Sequence, residues 1–160
     1  MGDIIVDGTV KVAYVPTIAA LAAPTVAELT AGDDIDTFIT ADGLIGFEPE
    51  TAEVDTTSLS STFDTKRPGR ASFSGTMLRL KKQTGTDTTY TTLVRGVEGY
   101  IVIRRYVDAS TAWAAADKVS VYPIQCGETK ELAPEANTTA RYEVPTMVTF
   151  EPELRAVVAT

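Results

Sequence analysis

From Thr9 to Val15 the side chains alternate, with Val10, Val12 and Tyr14 on one face and Thr9, Lys11 and Ala13 on the other. That period of two marks a half-buried strand. Tyr100-Ile101-Val102-Ile103 is instead continuously apolar, as in a strand covered on both faces, and Arg104-Arg105 is expected to end it. The centre of the core is placed there. Val119 to Cys126 reads as another strand. The clearest alternation comes last, with Tyr142, Val144, Val148 and Phe150 on one face and Arg141, Glu143, Met147 and Glu151 on the other. Asp33 to Thr40 reads as a strand carrying Ile35, Thr37 and Ile39 on one face. Asp42-Gly43 is a two-residue turn signal that would fold it into a hairpin with Leu44 to Phe47. Leu154 to Val158 is expected as a terminal strand or arm.

Two short helices interrupt the strands. Pro24 is permitted as a first helical residue, Val26 and Leu29 share a face, and Gly32 is the stop. Asp87 stands where an N-cap would, ahead of Thr88 to Arg95, with Gly96 able to supply a left-handed end. A further helical turn is expected from Ser110 through Trp113 to Asp117, and a polar loop from Gly127 to Ala140.

One stretch has no such pattern. Between Ile45-Gly46-Phe47 and the run Ser72 to Leu80 lies an excursion from Glu48 to Lys66 that ends in a basic turn, Arg67-Pro68-Gly69-Arg70. From Thr51 to Thr65, eight of fifteen positions are Ser or Thr, and only Val54, Leu59 and Phe63 are large and apolar. So few apolar groups do not offset the entropy of ordering the segment. Loops longer than roughly 12–15 residues without structure of their own tend to be functional or disordered. Either residues 48–70 form a mobile surface loop, or they lie against another copy of the chain, where the hydroxyls find partners and the spaced apolar residues find pockets. In the next run Phe73 and Met77 fall on one parity and Leu78 and Leu80 on the other, a phase break that points to a bulge or to a strand crossing from one packing surface to another, eased by Gly75.

At 160 residues the chain suits one domain with a single core. It is rich in Thr and Val, which favours strands. Its charge is unevenly spread: residues 1–55 hold eleven acids against Lys11 alone, residues 56–118 ten bases against five acids, and residues 119–160 three bases against six acids. Acidic and basic regions could meet head to tail between identical subunits, or interleave on the surface of one subunit.

Candidate chemistry is sparse. The absence of histidine removes Ser-His and Cys-His nucleophiles and the commonest metal ligand. Cys126 stands alone and reads as a small buried side chain. Asp33-Asp34-Asp36 lacks the spacing of a calcium loop and reads as a solvated junction. No Gly-rich phosphate cradle or nucleophile elbow is present, and no carboxylate pair stands out. Arg67, Arg70, Arg79, Lys81 and Lys82 form the one basic concentration, read as surface or subunit interface in a chain of pI about 4.5. Val12 to Ala23 is preceded by acids, broken by Pro16 and too short for a bilayer, so neither targeting nor a membrane span is expected. No cofactor, metal or catalysis is expected.

The order of these elements resembles the major tail tube proteins of long-tailed (siphovirus-type) bacteriophages, particularly those of actinobacteria. The likeness is carried by Ala23-Pro24-Thr25-Val26-Ala27-Glu28-Leu29-Thr30-Ala31-Gly32, by Gly46-Phe47-Glu48 through Val54-Asp55-Thr56 to Ser61-Thr62-Phe63-Asp64-Thr65, and by Gly69 to Gly75. Gly96 to Arg105, Val121-Tyr122-Pro123 with Gly127-Glu128, and Glu143-Val144-Pro145 extend it over nearly the whole chain. The resemblance implies a mainly β fold, a β-sandwich or partly rolled barrel with one or two short flanking helices and a long inter-strand assembly loop. Residues 1–160 would form a single domain, with 48–70 as the loop and 152–160 as a possible C-terminal arm. It also implies hexameric rings stacked into a tube, assembled in the bacterial host cytoplasm and carried in the virion tail, through which DNA passes without specific binding. Tape measure, tail terminator and baseplate or tail-tip proteins would be its partners. Val54, Leu59, Phe63, Lys66, Arg67 and Arg70 become subunit-interface candidates, and Glu143 and Glu151 candidates for an acidic lumen. A tail-completion or capsid-decoration protein, and a non-catalytic β-sandwich binding module, remain as alternatives.

Overall fold

The computed structural model describes residues 1–160. Eleven strands and two helices follow in the order β1 (Val10–Val15), α1 (Val26–Ala31), β2 (Asp33–Asp34), β3 (Ile39–Ile45), β4 (Glu50–Asp55), β5 (Lys66–Ser72), β6 (Met77–Lys81), α2 (Thr88–Thr92), β7 (Glu98–Arg105), β8 (Lys118–Cys126), β9 (Lys130–Glu131), β10 (Arg141–Val148) and β11 (Glu153–Val157). Nine strands form one antiparallel sheet in the order β2-β1-β7-β8-β10-β6-β3, with β11 paired to β8 and β9 to β10. The protein is mainly β, as its sequence pattern predicts.

Alternation decides where the core lies. Val12, Tyr14, Ile101, Ile103, Tyr122 and Ile124 face one way and meet Leu78, Leu80, Tyr142 and Val144. Ala13, Val15, Val102, Val119 and Val121 face the other way and meet Leu29, Ile18, Trp113, Ala156 and Val158. The middle of the sheet is therefore covered on both faces, which explains the continuous apolar run in β7. Instead of one core there are two, back to back. The sheet curls because β10 changes partners along its length. Arg141 to Pro145 pair with β6, and Thr146 to Val148 pair with the end of β8.

Helix α1 starts at the capping box formed by Thr25 and Glu28. The Thr25 hydroxyl accepts from Glu28 N–H, and the Glu28 carboxylate accepts from Thr25 N–H. These bonds, with a further one from Ala19 N–H, hold the Glu28 carboxyl below its ordinary range. Asp87 caps α2 as expected, but the helix ends at Leu93, three residues before the left-handed Gly96.

Four expectations need correction. The segment from Asp33 to Thr40 is not one strand but β2 and the start of β3, separated by a turn in which Phe38 N–H and Ile39 N–H both reach back to the Ile35 carbonyl. Asp42-Gly43 is not a hairpin turn but a bulge within β3, where the register against β6 slips between Ile39 and Leu44. A Cβ on Gly43 would come within 2.5 Å of the Arg79 carbonyl, so only glycine fits there. No helix follows Ser110: Asp108 holds Ser110 N–H in a tight turn, and the nearby carbonyls are taken by Arg104. The last alternation stops at Val148, leaving Phe150 54% exposed where the chain reverses into β11. Of the two expectations for the final segment, it forms a strand: β11 lies along β8, and Ala156 and Val158 are buried.

Candidate assembly interface

The long excursion has structure of its own, contrary to the loop expected from its composition. Strands β4 and β5 form an antiparallel hairpin that pairs with no strand of the main sheet. Every residue of both strands is exposed. Pro68, which lacks an N–H, is tolerated because a two-stranded ribbon has free edges.

Residues 56–65 close the hairpin, and their hydroxyls find partners within the tip itself. The Thr56 and Thr65 hydroxyls are hydrogen bonded at 2.9 Å. Thr65 N–H donates to the Thr57 hydroxyl at 2.9 Å, and Phe63 N–H to the Ser61 hydroxyl at 3.1 Å. Asp55 accepts from Thr57 N–H, and bonds from Thr57 hold its carboxyl below the ordinary range. The Ser/Thr content thus supplies a local framework. What it leaves without partners is apolar: Val54, Leu59 and Phe63 are 49%, 106% and 74% exposed. Lys66 pairs with Glu53, whereas Arg67 and Arg70 form no ion pair.

The base of the hairpin is fixed to the core by aromatic side chains. Phe47 and Phe73, which flank it, both meet the ring of Tyr122 edge to face, at 5.1 and 5.7 Å between centroids. The Tyr122 hydroxyl donates to the Phe47 carbonyl at 3.2 Å. Gly46 lets the chain enter with φ of +76°, where a Cβ would meet the Gly75 carbonyl oxygen at 2.7 Å. The hairpin is an exposed lever on a rigid mount.

The two acidic candidates lie elsewhere and differ. Glu143 on β10 is 9% exposed and accepts from Arg79 Nε and Nη2 at 3.1 and 2.9 Å across the β6–β10 pair. Arg79 also reaches Asp42 at 2.6 Å. Glu151 is exposed just beyond β10. The structure does not bring them together.

Charge interleaves in part within the subunit: Asp42 and Glu53 of the acidic first region pair with Arg79 and Lys66 of the basic middle. Sequence reasoning missed the most buried charge. Arg104 is fully buried, bound to Asp117 at 2.8 Å and to the carbonyls of Thr111, Ala112 and Asp108 at 2.7, 3.0 and 3.1 Å. Its guanidinium lies over Trp113, whose Nε1–H donates to Asp34 at 3.1 Å. Asp34 also pairs with Lys11, so one member of the expected solvated junction belongs to this network. Cys126 is 3% exposed, and burial pushes its thiol up to about 11, as suits a packing residue. No helix is long and apolar enough to cross a membrane.

A curled sheet with two cores, from which an anchored hairpin presents unpartnered apolar and basic groups, defines a β-rich protein with an exposed arm. The chain belongs to the phage tail tube protein family, whose model matches residues 1–160. It is a structural subunit of a phage tail tube and a component of the virion tail. No curated protein matches it at a significant level.

Proposed function

We propose that the protein forms hexameric rings that stack into the tube through which DNA leaves the virion, and that the β4–β5 hairpin joins each subunit to a neighbour. The observation that carries this reading is the hairpin itself. It is ordered by its own tip, mounted on Tyr122, and exposed along its whole length. An isolated two-stranded ribbon is marginal in water, so a ribbon with unpartnered Leu59 and Phe63 gains most from a second surface. In this reading Val54, Leu59 and Phe63 enter pockets on the neighbour, and Lys66, Arg67 and Arg70 meet acids around them.

The tube wall acts by shape and charge, without catalysis. A net charge of −8 repels phosphates and lets DNA slide. Glu151 is the freer lumen candidate, because the charge of Glu143 is largely answered by Arg79. The ends of the tube would meet tail terminator and tail-tip proteins, its interior would hold a tape measure protein, and assembly would take place in the host cytoplasm.

Negative-stain electron microscopy of the purified protein at rising concentration tests the proposal. Stacked six-fold rings or tubes are expected. Monomers under all conditions would overturn it, and single closed rings that never stack would favour a tail-completion role.

A further inference from the structure

Beside the hairpin, a concavity of the molecule has no assigned role. It is a groove of about 1060 Å³ where the ends of β7, β8 and β11 meet the base of the hairpin. Phe47, Pro49, Tyr106, Val107, Leu154 and Val157 give it an apolar lining, and Tyr106, Val107, Leu154 and Val157 are between 38% and 58% exposed. Three cations stand along it, Arg105, Lys118 and Arg155, and none forms an ion pair. Arg105 donates only to the Ser120 hydroxyl, at 3.3 Å. Of the two acids on its wall, Asp117 is already bound to Arg104 and Glu48 is exposed without an ion pair, so three free cations stand against one free acid. The groove is therefore apolar with a positive margin, and its natural occupant is apolar with negative flanks.

One segment of this chain has that character. Asp3-Ile4-Ile5-Val6-Asp7 sets three consecutive apolar side chains between two acids. Ile4, Ile5 and Val6 are 62%, 77% and 55% exposed. Neither Asp3 nor Asp7 forms an ion pair. A turn in which Thr9 N–H donates to the Val6 carbonyl, and the bond from Ala109 N–H to the Gly8 carbonyl, fix where the segment leaves the domain. None of its residues lines the groove of its own chain.

We infer that the Asp3–Asp7 segment of one copy docks in the β7–β8–β11 groove of a second copy. Ile4, Ile5 and Val6 cover the apolar lining, and Asp3 and Asp7 meet the cations of the margin. The contact is heterologous, since segment and groove are different surfaces, and it repeats from copy to copy. It leans on the self-assembly reading only in requiring two copies to meet, and involves neither the hairpin tip nor any lumen residue.

Disulfide trapping tests it in the full chain, with the buried Cys126 left in place. A Val6→Cys chain is mixed with a Val157→Cys chain under mild oxidation. The mixed disulfide is expected to exceed both homodimers. Adding Ile5→Asp to the first chain, or Arg155→Glu to the second, should lower its yield about tenfold. Ile5, Val6, Arg155 and Val157 are all exposed in the subunit, and circular dichroism of each variant confirms that the fold is kept. Homodimers as abundant as the mixed species, or a disulfide formed only within a chain carrying both cysteines, would overturn the inference. Electron microscopy separates the two readings. Tubes formed unchanged by the Ile5→Asp chain overturn the docking alone, whereas mixed disulfides without any tubes overturn the tube alone.

Discussion

Arg104 shows how one side chain can organise a loop that has no regular structure. Its guanidinium collects the carbonyls of Asp108, Thr111 and Ala112 and the carboxylate of Asp117, and it stacks on Trp113. A buried cation is tolerated only where most of its donors find acceptors, and here Nη1 and Nη2 find four while Nε alone is left without one. Removing it leaves a carboxylate and three carbonyls without their donor. Arg104→Ala should therefore cost about 3–5 kcal/mol, read as a shift in urea unfolding. A loss under about 1 kcal/mol would mean that water replaces the guanidinium at no great cost. The sequence pattern shows Arg104-Arg105 only as the end of an apolar run. In the structure they are the last two residues of β7, and the period of two sends Arg104 to the Trp113 face and Arg105 to the groove. Backbone carbonyls carry no signature in a sequence, so a cation that binds them looks like any other charged residue. Cys126 was readable for the opposite reason, because a lone thiol within an apolar strand has little to do but pack.

Among the elements, legibility follows burial. Strands β1, β7 and β8 announce themselves because alternation or continuous apolarity records which faces are covered. Strands β4 and β5 are exposed on both faces, so nothing in their side chains needs to alternate, and backbone pairing alone leaves no pattern. Composition pointed to a loop for that reason. The same independence makes the hairpin removable. Glu50 and Ser72 are paired across its base, so replacing residues 50–72 by a short Gly-Ser turn joins neighbouring points. Phe47 and Phe73 keep their places on Tyr122. The shortened protein is expected to give an unchanged far-ultraviolet circular dichroism signal per sheet residue and a stability within about 1 kcal/mol of the parent, yet to form no tubes. Unfolding on removal would place the hairpin in the core and overturn its assignment as an assembly element.

For the molecule as a whole, two forces could hold the hairpin to a neighbour, and they respond differently to salt. The uneven charge along the chain is only partly neutralised within the subunit, through Asp42–Arg79 and Glu53–Lys66, which leaves Arg67 and Arg70 free at the hairpin. Exposed charges act over a distance that shrinks from about 10 Å at 0.1 M salt to about 3 Å at 1 M. Apolar burial is not screened in this way, and salting-out ions strengthen it. If charge steers subunits together while Leu59 and Phe63 hold them, the two kinds of substitution must separate. A paired Arg67→Glu, Arg70→Glu variant should slow assembly, measured by light scattering, at low salt and approach the parent rate near 1 M. A paired Leu59→Ser, Phe63→Ser variant should raise the concentration needed for tubes by about tenfold or more at every salt concentration. All four positions are exposed in the subunit, so both variants should melt as the parent does, and any difference belongs to the contact between copies. Parent-like assembly by both variants at all salt concentrations would remove the hairpin from the interface.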